Sequence, residues 1–288
     1  MAVPGSSRSA NVGAGCENLF LICGQPQETE DDVQDDWRWH IYDPVTEKSV
    51  EILSTLKRKN ASVVAIKSFV YVLGGRLNGV ETDSVEEINV ISRHVGNMSP
   101  MAFTRANHCA TMIGNTIIVC GGYSLGSILC SCELFLPLRN RWVRIPNMQG
   151  RRASASVVSL PDGRVFVIGG FNEQEVLDSV EFCLPTEDAF GIDDIFGFWR
   201  MAAPMPSPRY GQAGVTIDGK IIVAGGVFGC IENTVSMFTP PNSLTCIGQW
   251  TMLKSMRQCS YHIFLVATAS KIFAFGTLNE RFCLEIAL

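Results

Sequence analysis

The chain has 288 residues, of which 47% are hydrophobic and 18% charged, and its formal net charge is −5. This composition supports a sizeable buried core in one or two domains. No apolar run approaches the roughly eighteen residues of a membrane span, and no Lys/Arg-rich run is present, so we expect neither a membrane nor a nucleic-acid partner. The N-terminal stretch MAVPGSSRSANVGAG lacks the apolar segment of a secretory signal, and we predict a cytoplasmic protein.

The eleven cysteines indicate a reducing compartment rather than a disulfide framework, because most fall inside apolar segments. Cys130 and Cys132 form the one close pair, the four histidines are scattered, and no Cys-x-x-Cys occurs. We therefore predict no metal and no cofactor. The cysteines expected to be buried, reduced thiols are Cys23, Cys109, Cys120, Cys183, Cys259 and Cys283.

Along the chain, short apolar runs repeatedly end at glycine, and four of the six runs end at a glycine pair. The spacings between successive runs are 50, 47, 48, 56 and 51 residues. A period near fifty residues is typical of a radial repeat. The first glycines of the six runs are Gly24, Gly74, Gly121, Gly169, Gly225 and Gly276.

Each run predicts the second strand of a hairpin, because a tight turn precedes it. The turns fall at Gly114-Asn115, Pro161-Asp162-Gly163 and Asp218-Gly219, where Asx-Gly supplies positive φ. A third strand follows the polar loop after the glycines, and a fourth carries a tryptophan. The sequence therefore predicts four antiparallel strands per repeat, which is a β-sheet blade. The third strands are predicted at 83–90, 130–137, 178–185 and 233–240, and the tryptophans are Trp142, Trp199 and Trp250.

The chain resembles kelch repeats over essentially its whole length. Four features carry the resemblance: the glycine pair, the third strand with its Ser-Val-Glu sequence (the SVE strand, as at 84–86 and 179–181), the later tryptophan and the period. One departure is that the tyrosine usual in the third strand survives clearly only as Tyr42, with phenylalanine elsewhere. The resemblance implies an all-β, six-bladed kelch β-propeller with four-stranded antiparallel blades. We expect one domain over residues 1–288, with repeats at approximately 8–57, 58–104, 105–151, 152–208, 209–256 and 257–288.

The last repeat ends after its third strand, and the N-terminal MAVPGSSR resembles the end of a fourth strand. We therefore expect residues 1–4 to pair with the strand near 282–287 and to close the ring. The alternative is that the chain is a fragment of a longer product. In the BTB–kelch adaptors that the chain resembles, a BTB region precedes the repeats, and because repeat one starts near residue 8 we expect no BTB region in this chain.

Arginines occupy one register of the repeat. Four of them, Arg58, Arg105, Arg152 and Arg209, precede the first glycine by 16, 16, 17 and 16 residues. Antiparallel strand order places these positions on the same rim as the loops after the glycines. Two interpretations stay open: each guanidinium ties neighbouring blades through carbonyls, or the arginines bind a ligand.

The kelch domains of ubiquitin-ligase adaptors grip acidic peptides with arginines at this place. The resemblance implies that role for Arg58, Arg105, Arg152 and Arg209, and the fork of a guanidinium suits a carboxylate. Arg257 departs from the spacing at 19 residues, and Arg8 precedes a degenerate strand.

Two acidic stretches interrupt the pattern, at 25–36 and 185–197. The first is interpreted as a solvated loop or as an internal competitor for the arginine rim. The second lies between strands three and four, and its apolar residues form either a self-packed insert or a separate docking patch. Those residues are Phe190, Ile192, Ile195 and Phe198.

These features predict a protein-interaction module that binds an acidic segment of a partner, as in the substrate-receptor part of a ubiquitin-ligase adaptor. The alternative is an actin-binding cytoskeletal kelch protein. An enzyme is disfavoured because the sequence has no nucleophile elbow, phosphate-binding loop or zinc motif. The copper radical site of some kelch propellers needs paired Tyr and His ligands, and the five tyrosines and four histidines show no such pairing.

Overall fold

The computed structural model describes residues 10–11, 20–24, 38–43, 48–54, 58–186, 190–191, 196–257, 263–267 and 272–275, with the backbone alone before residue 58. The chain divides into two compact units, residues 1–107 and 108–288. No helix in the described part is long and apolar enough to cross a membrane. The single six-bladed domain stays a prediction.

The first unit contains two four-stranded antiparallel sheets. The first sheet has the order β1-β2-β3-β4 and the second β6-β7-β10-β11, and a three-stranded sheet of β5, β8 and β9 accompanies the second. The first sheet consists of β1 Ala10–Asn11, β2 Phe20–Gly24, β3 Arg38–Asp43 and β4 Lys48–Ser54. The others are β5 Arg58–Lys59, β6 Ser62–Ile66, β7 Phe69–Leu73, β8 Arg76–Leu77, β9 Val80–Glu81, β10 Val85–Asn89 and β11 His94–Met98.

The second unit continues the pattern with the third sheet (β12-β13-β16-β17) and the fourth (β18-β19-β20-β21). The hairpin of β14 and β15 follows the glycine pair of the third sheet, and a short 3-10 helix at Pro137–Arg139 joins its third and fourth strands. The strands are β12 Cys109–Ile113, β13 Thr116–Cys120, β14 Tyr123–Ser124, β15 Ser127–Ile128, β16 Cys132–Leu136, β17 Arg141–Ile145, β18 Ser156–Ser159, β19 Val165–Ile168, β20 Val180–Cys183 and β21 Arg200–Ala202.

The fifth sheet has the order β22-β23-β26-β27, with β24 and β25 as its hairpin, and β28 pairs with β29 beyond it. These strands are β22 Ala213–Ile217, β23 Lys220–Ala224, β24 Val227–Phe228, β25 Cys230–Ile231, β26 Val235–Thr239, β27 Gln249–Met252, β28 Phe264–Ala267 and β29 Ile272–Phe275. The four-stranded antiparallel blade predicted from the sequence is thereby confirmed, and the third strands lie inside their predicted ranges.

Successive sheets of the second unit pack through their apolar faces. One buried cluster lies between the third and fourth sheets and includes Ile118 and Val167. A second lies between the fourth and fifth sheets and includes Phe166 and Phe238. The first strands β12, β18, β22 and β28 lie next to one another in that order. This arrangement, with first strands adjacent and sheets stacked face to face, is that of β-propeller blades.

The turn between β22 and β23 adopts the predicted geometry. Asp218 and Gly219 have φ values of 49° and 71°, so the two-residue loop between β22 and β23 has positive φ at both positions. This conformation matches the right-handed twist of the flanking strands. The predicted ring closure through residues 1–4 and 282–287, and the acidic stretch 25–36, lie outside the described residues.

Candidate functional site

Three of the four glycine pairs contact the next repeat, at Gly75, Gly122 and Gly170. Gly169 and Gly170 have φ values of 58° and 95°. A Cβ on Gly170 would lie 2.6 Å from the carbonyl oxygen of Ala153, and the Gly170 N–H donates to the carbonyl of Arg209 at 2.9 Å. A side chain at this position would therefore both strain the backbone and crowd the start of its own repeat at Ala153 and Ala155.

The backbones of Arg105, Arg152 and Arg209 bind the repeat before them. The Arg209 N–H donates to Leu177 O at 3.1 Å, while the Arg209 carbonyl accepts the Gly170 N–H. Arg152 repeats both bonds with Leu129 and Gly122 at 3.1 and 2.9 Å. In the first unit the Arg105 carbonyl accepts the Gly75 N–H at 2.8 Å. These three arginines of the register thus lie at the contact between two consecutive repeats, which we call the joint and name by its arginine.

The four predicted arginines are buried. Their exposed fractions are 5% for Arg58, 0% for Arg105, 2% for Arg152 and 1% for Arg209. Arg257, whose spacing departs from the register, is exposed. The four arginines that keep the 16- or 17-residue spacing are therefore shielded from solvent, whereas Arg257, which departs from it, is not.

The Arg152 guanidinium binds its own repeat. Its Nη1 donates to Gly169 O at 3.0 Å and Ser179 O at 3.1 Å, which joins the end of β19 to the start of β20. Its Nη2 forms a buried ion pair with Glu181 Oε1 at 2.7 Å. The amides of Gln149 and Gly150 also donate to the Glu181 carboxylate, at 2.7 and 2.9 Å. Both charges are thereby satisfied.

Arg58 makes the equivalent contacts in the first unit. Its Nη1 donates to Ser84 O at 2.8 Å and to Gly74 O at 3.3 Å, and its Nη2 lies 3.2 Å from Glu86 Oε1. Burial lowers the pKa of Arg58, and the charge of Glu86 opposes this shift. The side chain of each of these arginines therefore binds its own repeat, while the backbone of Arg152 binds the preceding one.

Arg209 keeps the register but lacks the carboxylate. Its Nη1 donates to Thr234 Oγ1 at 2.6 Å and to Gly225 O at 3.3 Å, and its Nη2 donates to Ser207 Oγ at 2.7 Å. Burial lowers the pKa of Arg209, and the charge of Glu232 opposes this shift. Within the described residues, no carboxylate lies within ion-pair distance of Arg209, unlike Arg58 and Arg152.

Sequence reasoning missed the acidic partner, although a signal was present. Glu86, Glu133 and Glu181 follow their arginines by 28, 28 and 29 residues, and all three are buried. Ser236 takes this place in the fifth repeat, 27 residues after Arg209. The SVE strand that supported the repeat therefore also carried the counter-charge of the arginine register.

A methionine register was missed as well. Met101, Met148 and Met205 each stand four residues before an arginine and are 3–4% exposed. A Cβ on Gly169 would lie 2.6 Å from Met205 Cε. Met205 therefore packs over the first glycine of its own repeat, and it fills the space that the missing side chain leaves.

Small hairpins after the glycine pairs present apolar side chains to solvent. Leu125 is 84% exposed between β14 and β15, and Phe228 and Ile231 are 47% and 38% exposed in β24 and β25. Val80, in the equivalent place of the first unit, is 64% exposed. These hairpins join the second and third strands, so within each blade they lie at the end where the arginine enters.

The thiols of the described core are buried and free of disulfides, as predicted for Cys109, Cys120 and Cys183. Cys109 pairs across the sheet with Cys120, which pairs in turn with Cys132. Burial raises the pKa of Cys120 and Cys183, which disfavours the reactive thiolate. Cys23, Cys259 and Cys283 fall outside the described side chains.

The second acidic stretch packs in part on the core. Phe190 and Phe198 lie against the cluster between the third and fourth sheets, and the Gly191 N–H donates to Arg144 O at 2.8 Å. This packing favours the self-packed insert over a separate docking patch at these two residues. Ile192 and Ile195 lie outside the described residues.

The combination of blades, glycine pairs and buried arginines defines a β-propeller protein. A model of the Kelch motif matches residues 104–149 and 208–257. Human Kelch-like protein 23 is 28% identical over 194 residues, which cover 65% of this chain and 33% of that protein. Human Kelch-like protein 33 is 29% identical over 44% of the chain and 23% of its own length.

Beta-scruin of Limulus polyphemus is 28% identical over 63% of this chain and 20% of its own length. The chain thus matches about a third or less of the length of these relatives. Together with the observed blades, the matches support a kelch-repeat family for this chain.

Proposed function

We propose that the chain is a protein-interaction module and that the end of the blades formed by the hairpins after the glycine pairs is its binding surface. The observation that carries this proposal is the repeated exposure of apolar side chains in the hairpins of the second unit, namely Leu125, Phe228 and Ile231. Loops on a rigid scaffold are the usual place for binding, and exposed apolar groups at such a place favour a protein partner.

The bound segment is proposed to be acidic, as predicted from Arg58, Arg105, Arg152 and Arg209. The burial of these side chains sets a condition on that role: an acidic group must reach past the hairpins to meet a guanidinium. Arg58 and Arg152 already hold carboxylates. Arg209 is therefore the member of the register best suited to an external acidic group, because its described contacts are neutral acceptors.

In a ubiquitin-ligase adaptor, this module is proposed to supply the part that receives the substrate. The second candidate, which the kelch resemblance implies, is binding of filamentous actin. Cosedimentation with filaments separates the two, because an actin-binding chain pellets with filaments and a substrate receptor stays in the supernatant.

The main test uses exposed leucines at the two ends of the blades. The full chain and its Leu125→Asp and Leu138→Asp variants serve as bait in cell lysate, and bound proteins are identified by mass spectrometry. Leu125 and Leu138 are 84% and 94% exposed, so neither change should affect folding. We expect Leu125→Asp to lose partners that Leu138→Asp retains. Loss with Leu138→Asp alone would place the binding surface at the opposite end.

Charge is tested in the same format. Binding of the captured partner to the parent chain should weaken as salt rises, because an acidic segment is screened from the arginines. Arg209→Gln, in a chain that keeps Leu125, should bind the partner more weakly than the parent chain does. A partner that binds Arg209→Gln and the parent equally at every salt concentration would remove the arginine from the binding site and leave the hairpin surface in place.

A further inference from the structure

Two successive repeats show the same joint with different chemistry around the arginine. In the fourth repeat, the three groups that hold the Glu181 carboxylate are the Arg152 guanidinium and the amides of Gln149 and Gly150. Counting back from each arginine, Pro206 stands in the place of Gln149 and Ser207 in the place of Gly150. The Arg209 joint therefore has the hydroxyl of Ser207 at the position where the Arg152 joint has Gly150, which carries no side chain.

The anion itself is also replaced in the fifth repeat. Ser236, which is 2% exposed, stands in β26 where the neighbouring repeat has Glu181. Ser236 is shorter than glutamate and uncharged. Among the described residues, the buried Arg209 guanidinium therefore contacts neutral acceptors only, and Glu232 is a more distant source of negative charge that is partly exposed. The joint keeps the cation and has lost its fixed partner.

Ser207 is placed to supply that partner. Its Oγ accepts a hydrogen bond from Arg209 Nη2 at 2.7 Å. Its amide corresponds to the Gly150 amide that binds Glu181, and it has no hydrogen-bond partner among the described residues. A phosphate on Ser207 Oγ would bring acceptor oxygens within reach of both donors, the guanidinium and the amide.

We propose that Ser207 is a phosphorylation site for a proline-directed protein kinase and that Arg209 binds the phosphate. Ser207 is followed by Pro208 and is partly exposed, and Pro204 and Pro206 before it are exposed. These prolines keep the segment extended, which is the form a kinase cleft accepts. The phosphate takes the role that Glu181 has in the fourth repeat.

The reaction is an ordinary phosphoryl transfer from ATP. The Ser207 Oγ forms a bond to the γ-phosphorus, and the bond from that phosphorus to the bridging oxygen of ADP breaks. ADP leaves with the electron pair, and the hydroxyl proton passes to a base of the kinase. The product carries a charge of about −1.5 to −2 at neutral pH, beside a buried cation without a carboxylate.

Two other Ser/Thr-Pro dipeptides in the chain provide internal comparison sites, at Ser99 and Thr239. Thr239 is the last residue of β26 and pairs with Gln249 across the sheet. A kinase that needs an extended segment should therefore modify Ser207 in preference to Thr239. The Arg209 contact predicts a second difference, since a phosphate on Ser207 should stabilise the fold.

The test treats the folded full chain with ATP and a proline-directed kinase, maps the modified residues by mass spectrometry and measures Tm. We expect a phosphate on Ser207 and a Tm several degrees higher at pH 7.5. The gain should shrink at pH 5.5, because the second phosphate pKa is near 6. An unmodified Ser207 in the folded chain, or a phosphate that leaves Tm unchanged or lowers it, would overturn the proposal.

Two variants assign the effect to Arg209. Ser207→Ala should lose the modification and the Tm gain. Ser236→Glu restores the carboxylate of the fourth repeat while it keeps Ser207 and Pro208, so phosphorylation should no longer raise Tm. An equal gain in Ser236→Glu would show that the phosphate acts through other groups and would also overturn the proposal.

Discussion

The joints at Arg152 and Arg209 share a backbone and differ in charge. In both, the arginine N–H and carbonyl bind the preceding repeat with bonds of 3.1 and 2.9 Å. At Arg152 the guanidinium faces a buried carboxylate at 2.7 Å, whereas at Arg209 it faces two hydroxyls and a carbonyl. The comparison teaches that the backbone contacts hold the repeats together, and that the charged partner is a separate feature which one repeat can lose.

The largest expected effect comes from removing the carboxylate of the Arg152 joint, which we call the paired joint because Arg152 forms an ion pair with Glu181. Glu181→Gln keeps the volume but leaves Arg152 buried without a counter-charge, so we expect a loss of about 3–5 kcal/mol in unfolding free energy. Chemical denaturation measures it. The matched control is Ser236→Ala, where no charge is removed, with an expected loss under about 1 kcal/mol. Similar losses at the two positions would contradict the distinction between the joints.

The glycine pair that connects the two joints should be nearly as sensitive. Gly170→Val places a β-branched side chain at φ 95°, against the Ala153 carbonyl. Backbone strain alone costs about 1–3 kcal/mol, and the crowding adds to it. Gly126→Val is the control, because Gly126 has φ 86° but no atom within 4 Å of a Cβ. If both variants lose the same stability, the close approach of Gly170 to the Ala153 carbonyl has no energetic role.

These joints also show what the sequence could and could not predict. The glycine spacing, the hairpin turns and the third strands followed from local patterns, because turn residues and apolar alternation determine strands directly. The arginine register was visible, but the burial of its members was not, since burial depends on the neighbouring repeat.

The pairing of Arg152 with Glu181 was missed because the two lie 29 residues apart and meet only in the folded blade. The Ser207-Pro208 dipeptide did not single out Ser207 in the sequence, because Ser99 and Thr239 also precede prolines. The role of Ser207 is recognised only by comparing the Arg209 joint with the Arg152 joint, because Ser236 then stands at the position of Glu181.

A smaller effect should follow from converting one joint into the other. Ser236→Glu gives Arg209 a carboxylate at the position of Glu181, and a charge-assisted hydrogen bond in place of neutral contacts should raise the unfolding free energy by about 1 kcal/mol. Ser236→Gln has the same size without the charge and should give no gain. Equal effects of Glu and Gln would mean that volume, not charge, distinguishes the joints.

The smallest effect should appear in thiol reactivity. Cys230 and Cys246 of the fifth repeat are exposed, whereas Cys183 is buried beside the paired joint and burial raises its pKa. Iodoacetamide at pH 8 should modify the two exposed thiols first, because a raised pKa keeps Cys183 protonated up to a higher pH than a free thiol. Glu181→Gln should accelerate labelling of Cys183 by loosening the core, while Ser236→Ala should not. Mass spectrometry of the labelled peptides separates these cases.

The most direct test of the distinction between the two joints compares Arg152→Gln with Arg209→Gln in equilibrium unfolding. Removal of Arg152 leaves Glu181 buried and charged, so the loss should be about 3–5 kcal/mol. Removal of Arg209 leaves only neutral acceptors among its described partners, so the loss should be about 1–3 kcal/mol. A loss at Arg209 equal to or greater than that at Arg152 would contradict the conclusion that the fifth joint lacks a fixed acidic partner.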